Sequence, residues 1–154
     1  LSYKWTKDYE HGNQMFRIST FNDSMISFFR HPLNDYWRYQ PKGKEMFSTV
    51  MLFPDGPHQM QLDSLFDPKT DWKNFIINTV ITYVNTHMHV EGDCHNPAAF
   101  PMMLRERFLI TETGIVLYPE DFTESSRQLM VTIPWIDADA YLRADIRTRL
   151  IPAQ

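Results

Sequence analysis

Residues 87–95 contain the densest run of side chains that can bind a metal ion. Side chains alternate between the two faces of an extended segment, so every second residue of this run would point to the same side. Imidazole and carboxylate groups together suit zinc, copper or nickel. The pattern predicts a zinc or copper site formed by His87, His89, Glu91, Asp93 and His95.

A second interpretation leaves the same run without a metal. Gly92 and the pair Asn96-Pro97 indicate a bend, and the spacing matches no zinc signature such as H-E-x-x-H. Polar loops that follow helices also gather histidine and aspartate for solubility. Cys94 beside His95 does not make a nucleophile–base pair, because adjacent side chains diverge. In this interpretation the protein carries no cofactor.

Two loops carry side chains that suit a binding surface. The loop over residues 31–43 is rich in aromatic rings, which stack on sugars, anchor protein partners or simply pack over a sheet edge. The segment over residues 119–126 is acidic and hydroxylic, and it suits either a cationic partner or plain solvation. The candidate ligand-binding residues are Tyr36, Trp37, Tyr39, Tyr118, Glu120, Asp121 and Phe122.

A helix predicted over residues 68–86 organises the elements that position these loops. Asp67 suits the capping position of a helix, and Pro68 suits its first turn. Behind this start, large side chains recur at the i, i+3, i+4 spacing of one buried face. We predict a core helix rather than a site, with a buried face made of Trp72, Phe75, Ile76, Thr79, Val80, Tyr83 and Val84.

Strand-like segments surround this helix and are joined by short turns. They cover residues 14–21, 45–53, 58–62, 105–111, 115–118 and 128–135, while residues 25–29 fit a strand or a helix equally well. Asp137 begins a second amphipathic helix. Hairpins with two such helices predict an α+β fold, in which an antiparallel sheet packs against helices of about 68–86 and 137–150.

Composition limits the function classes. The 154 residues fit one domain, with an N-terminal strand and aromatic loop in 1–46 and the remaining elements in 47–150. The net charge of −4 without a basic stripe disfavours nucleic-acid binding. No phosphate-binding glycine loop or G-x-S-x-G motif is present, so we predict no enzyme. A chain that begins at Leu1 fits a trimmed fragment, and we expect membrane contact only through a removed anchor.

Three sequence segments resemble parts of a known bacterial domain. They are LDSLF at 62–66 before the predicted helix, FLITETGIVLY at 108–118 and VTIPW at 131–135. In this order they resemble a domain of unknown function that forms the C-terminal part of the anti-sigma factor RsiV and recurs in the peptidoglycan deacetylase PdaC. The resemblance covers residues 47–150, while residues 119–127 replace a longer aromatic and proline-rich loop of that family.

The resemblance implies a non-catalytic binding or sensory domain of the bacterial cell envelope. Such domains are extracytoplasmic, in the periplasm or at the cell surface, and the RsiV domain binds lysozyme. A protein or a cell-wall glycan is therefore the expected ligand. The alternatives are an extracytoplasmic metal-binding protein that uses residues 87–95, and an inhibitor or immunity-type protein whose aromatic loop fills the cleft of a partner.

Overall fold

The α+β class predicted from the sequence is confirmed in the computed structural model, which describes residues 8–11, 14–32, 46–87, 104–119 and 130–151. The strands are β1 (Asp8–His11), β2 (Gln14–Asn22), β3 (Met25–Pro32), β4 (Met46–Phe53), β5 (Gly56–Gln59), β6 (Phe108–Ile110), β7 (Gly114–Leu117) and β8 (Val131–Pro134). The helices are α1 (Leu62–Leu65), α2 (Trp72–His87), α3 (Trp135–Ala138) and α4 (Ala144–Leu150), with a 3-10 turn at Asp139–Tyr141.

Strands β1 to β5 form an antiparallel sheet in chain order. The segment that fitted strand or helix is the strand β3, which pairs with β2 on one side and β4 on the other. The turn into β5 uses Gly56 at a φ of +128°, a region that favours glycine. Along β4 the side chains of Phe47, Thr49 and Met51 are buried, whereas Leu52 is exposed on the opposite face. One face of this sheet therefore meets the core.

Strands β6, β7 and β8 form a second antiparallel sheet. All three residues of β6 are buried, and so are Ile115 and Leu117 of β7. Gly114 pairs with Pro134, and a Cβ at this position would lie 2.0 Å from the carbonyl oxygen of Ile133. Glycine therefore permits the close approach of β7 to β8.

Hydroxyl groups of the five-stranded sheet cover the outer edge of β6. Ser19 and Thr20 donate hydrogen bonds to the Ile110 carbonyl at 2.9 and 2.6 Å, and the Ile110 N–H donates to Ser27 Oγ at 2.9 Å. Ser27 Oγ also lies 2.8 Å from Thr49 Oγ1, and both side chains are buried. Unpaired backbone groups at a buried edge would cost free energy. These four side chains, here called the hydroxyl seam, therefore join the two sheets.

The hydrophobic core draws on both sheets and on the helices. In α2 the predicted buried face is present, with Trp72, Ile76, Val80 and Val84 all buried at four-residue spacing. The Trp72 ring stacks on Phe66 with 5.0 Å between centroids and 7° between planes. This contact fixes the start of α2 against the end of α1.

Helix α2 begins at Trp72, later than the start predicted at Pro68. The carboxylate of Asp67 accepts a hydrogen bond from the Lys69 N–H at 2.9 Å, and its carbonyl accepts one from the Thr70 N–H at 3.0 Å. These bonds close a turn of the kind that Asp and Pro favour. The residues expected to cap the helix therefore form the turn that precedes it.

The helix predicted over 137–150 is divided into α3, the 3-10 turn and α4. The break lies at Leu142, which forms an antiparallel bridge with Phe66. Around it, residues 65–67 and 141–143 exchange two backbone hydrogen bonds, of 2.8 and 3.0 Å. Because this backbone bonds to another segment, it does not continue the helix, and Asp137 lies in the first turn of α3.

An ion pair joins the 3-10 turn to α4. Arg147 Nη2 donates to Asp139 Oδ2 at 2.7 Å, and Arg147 Nε donates to the other carboxylate oxygen. Hydrogen bonding from Arg147 holds the pKa of Asp139 below its usual value of 3.8; desolvation opposes this shift, and the charge of Arg147 adds to it. The pair stabilises the folded protein only while Asp139 is ionised.

We expect Asp139→Asn to lower the urea midpoint slightly at neutral pH, because the Arg147 side chain is exposed and that of Asp139 is only half-buried. A carboxyl with a lowered pKa in the folded state contributes stability above its unfolded pKa and loses it as the pH falls through the folded pKa. The difference in urea midpoint between the variant and the unmodified protein should therefore shrink as the pH falls below 3.8. Asp139→Asn in an Arg147→Gln background, where the pair is absent, is the control and should show no such trend. A difference that grows on acidification would contradict the assignment.

Candidate functional site

Most of the site residues predicted from sequence lie outside the described residues. This holds for Tyr36, Trp37 and Tyr39, for Glu120, Asp121 and Phe122, and for His89, Glu91, Asp93 and His95. His87 ends α2. Within the described ranges, no group of three or more His, Cys, Asp or Glu side chains could hold a metal. The zinc or copper site and the two binding loops therefore stay predictions.

Tyr118 is the predicted ligand-binding residue whose surroundings are described. Its ring is half-buried, lies 4.5 Å from the Phe47 ring centroid and stacks parallel to Phe29 at 6.4 Å. The Arg107 guanidinium sits 5.2 Å from the Phe47 ring, and Arg107 Nε donates to the Tyr118 carbonyl at 2.8 Å. Tyr118 thus belongs to an aromatic cluster that packs the second sheet on the first.

A groove of about 540 Å³ opens between one flank of α2 and strand β8. It is here called the α2–β8 groove. Its α2 side carries Asn74, Asn78, Thr82 and Thr86 at four-residue intervals. Residues four apart lie on the same helical face, so these side chains form a line of about 18 Å along the helix.

The four-residue line is held in place by the buried face beside it. Asp71 directly precedes α2, and its Oδ2 accepts a hydrogen bond from the Asn74 amide at 2.9 Å. Thr79, half-buried in the lining, donates its hydroxyl to the Phe75 carbonyl at 2.8 Å. The Phe75 ring stacks on Tyr141 with 4.2 Å between centroids and 11° between planes. The wall of the groove is therefore anchored to the 3-10 turn.

Strand β8 forms the opposite wall through Val131 and Thr132. Trp135 N–H donates to the Thr113 carbonyl, and bonded pairs alternate in an antiparallel ladder, so Val131 and Ile133 also bond to β7. The backbone N–H and C=O of Thr132 therefore point away from β7. Its side chain is exposed. The wall offers one hydroxyl and one outward-facing peptide group.

The charge of the lining sets its chemistry. Among the described residues that line the groove, Asp71 is the only carboxylate, and no lysine, arginine or histidine is present. The remaining polar groups are amides, threonine hydroxyls and the phenols of Tyr83 and Tyr141. Amides and hydroxyls both donate and accept hydrogen bonds. The groove therefore suits an uncharged polar ligand.

Sequence reasoning missed this groove because it treated α2 only as a core helix. Periodicity located the apolar stripe, and it placed Thr79 and Tyr83 on the buried face. Both are in fact half-buried and line the groove. The signal that points to the groove is the run Asn74, Asn78 and Thr82, because uncharged polar residues repeat beside the apolar stripe where surface helices usually carry charge.

Comparisons of the chain with protein-family models and with curated proteins found no match. The resemblance noted over residues 47–150 therefore stays a prediction. Within the described part of the chain, no helix has the length and apolar character needed to cross a membrane.

Proposed function

We propose that this protein is a non-catalytic binding domain of the bacterial cell envelope that holds an uncharged polar ligand in the α2–β8 groove. The lining of the groove supports this proposal. Amide and hydroxyl groups follow one wall for about 18 Å, and the described lining residues include no lysine, arginine or histidine. The extracytoplasmic location is proposed on the resemblance of residues 47–150 alone.

The composition of the groove favours binding over catalysis. Hydrolysis of a glycosidic bond typically uses two carboxyl groups on opposite sides of that bond. The described lining offers the single carboxylate of Asp71, and that carboxylate already accepts the Asn74 amide. Threonine hydroxyls are weak nucleophiles without an adjacent base. The groove is therefore equipped to recognise a ligand rather than to cleave one.

An NMR screen of the ¹⁵N-labelled protein against mixed neutral and charged small compounds tests this proposal. We expect compounds that bind to shift the amide signals of α2 and β8, including Asn78 and Thr132. The double substitution Asn74→Ala and Asn78→Ala should abolish these shifts. It should not unfold the protein, because alanine has a high helix propensity and both positions are exposed.

Asn85→Ala is the matched control, since Asn85 is exposed on the same helix and does not line the groove. It should leave the shifts unchanged. A screen in which no compound perturbs α2 or β8, or in which the double variant binds as well as Asn85→Ala, would overturn the proposed site.

A further inference from the structure

Resting on the proposed function, we infer that the ligand of the α2–β8 groove is an uncharged oligosaccharide. Each hydroxyl of a sugar both donates and accepts hydrogen bonds. Asn74 and Asn78 carry a donor and an acceptor on the same side chain, and so does the Thr82 hydroxyl. The Thr86 hydroxyl donates to the Thr82 carbonyl at 2.7 Å and offers its oxygen as an acceptor. The α2 wall therefore matches a ligand whose polar groups are all hydroxyls.

Aromatic surface in the lining supplies the second element of sugar recognition. Tyr83 and Tyr141 are half-buried and line the groove, and one face of the Tyr141 ring is stacked on Phe75. A tyrosine presents an apolar ring with a polar tip. A pyranose has an apolar face of C–H groups and a rim of hydroxyls, so such a ring meets both parts of the sugar.

The charge of the described lining disfavours anionic glycans and phosphorylated ligands. Proteins that bind such groups supply lysine, arginine or a helix N-terminus to neutralise them. The described lining holds no lysine or arginine, and where it includes the start of α2 the Asp71 carboxylate lies at that helix end. A uronate or a phosphate would meet repulsion there, whereas a neutral sugar hydroxyl would find an acceptor.

The β8 wall argues against an extended peptide as the ligand. Strand addition requires outward N–H and C=O groups on alternate residues of an edge strand. In β8 the outward positions are Thr132 and Pro134, and proline has no N–H. Within Val131–Pro134 only Thr132 offers both groups, which is too short a ladder to hold a strand.

The length of the polar line favours a chain of sugars over a single one. Asn74 and Thr86 mark the ends of a line of about 18 Å, and the groove is open along it rather than closed around a pocket. A monosaccharide would leave most of these amides and hydroxyls to water. A linear oligosaccharide would engage them in succession.

NMR titration tests this inference directly. The probes are four neutral hexasaccharides, namely chitohexaose, cellohexaose, maltohexaose and xylohexaose, each compared with its monosaccharide. We expect at least one hexasaccharide to shift α2 and β8 signals and to bind at least about tenfold more tightly than its monosaccharide. Its affinity should be the same at low and high salt, because no ion pair forms.

The groove variants assign the binding to the site. We expect Asn74→Ala with Asn78→Ala to raise the Kd at least about tenfold, the scale of about 1.4 kcal/mol for lost hydrogen bonds. Asn85→Ala should leave the Kd unchanged. Equal affinities of the double variant and the control would overturn the inference.

Two comparators separate this inference from the proposed function. They are hexagalacturonate and a blocked, uncharged hexapeptide of alternating threonine and valine. If either binds the groove and none of the neutral hexasaccharides does, the oligosaccharide assignment is overturned while the groove remains the binding site. If a compound of the screen binds the groove but no hexasaccharide does, the oligosaccharide assignment is likewise overturned and the groove remains the binding site.

Discussion

Gly114→Ala should destabilise the protein by about 3 to 5 kcal/mol, the cost usually associated with losing a large core side chain. A Cβ at Gly114 would lie 2.0 Å from the carbonyl oxygen of Ile133 and 3.0 Å from Pro134 Cα. These are backbone atoms of the paired strand, so no rotamer change relieves the clash. We expect β8 to move away from β7, which exposes the buried Ile133 side chain.

Urea unfolding followed by circular dichroism measures this loss. The matched control is Gly56→Ala, where a Cβ meets no atom within 4 Å but the backbone has a φ of +128°. Strain of this kind costs about 1 to 3 kcal/mol. Gly114→Ala should therefore unfold at a lower urea concentration than Gly56→Ala. The reverse order would mean that β7 and β8 do not approach as closely as described.

Ser27→Ala should cost about 3 kcal/mol, because it removes a hydroxyl with two buried partners. The Ile110 N–H would lose its acceptor at 2.9 Å, and the Thr49 hydroxyl would lose its partner at 2.8 Å. An unsatisfied buried polar group costs about 1 to 3 kcal/mol. The substitution removes almost no apolar surface, so the loss would report on hydrogen bonding between the sheets.

Ser48→Ala is the matched control for this second prediction. Ser48 is half-buried on β4, next in sequence to Thr49 and on the opposite face of the sheet, and its loss should stay within about 0.5 kcal/mol. A double-mutant cycle with Thr49→Val should give a coupling energy of about 0.5 to 3 kcal/mol. If Ser27→Ala and Ser48→Ala unfold at the same urea concentration, the hydroxyl seam contributes nothing to stability.

The elements that the sequence predicted well are those with strong local patterns. The hairpin around Gly114 and the buried stripe of α2 both follow from spacing within a few residues. The helix predicted over 137–150 is divided in the structure. What divides it is the bridge between Leu142 and Phe66, a contact that no local pattern encodes.

The candidate site could not be predicted in the same way. Rules based on periodicity weigh apolar residues, so they do not single out the uncharged polar line of Asn74 and Asn78. The groove also needs Thr132, which lies more than fifty residues further along the chain. Metal-binding and aromatic residues are easier to predict as sites, because their chemistry is visible in a single segment.

The hydroxyl seam also bears on the order in which the chain folds. Its contacts join Ser19, Thr20 and Ser27 to Ile110 across sequence separations of 91, 90 and 83 residues. Each hairpin can form from nearby residues, whereas this junction requires the closure of a long loop, which slows folding. The outer edge of β6 therefore stays without partners until late in folding. During that interval this edge can pair with a second, incompletely folded copy of the chain.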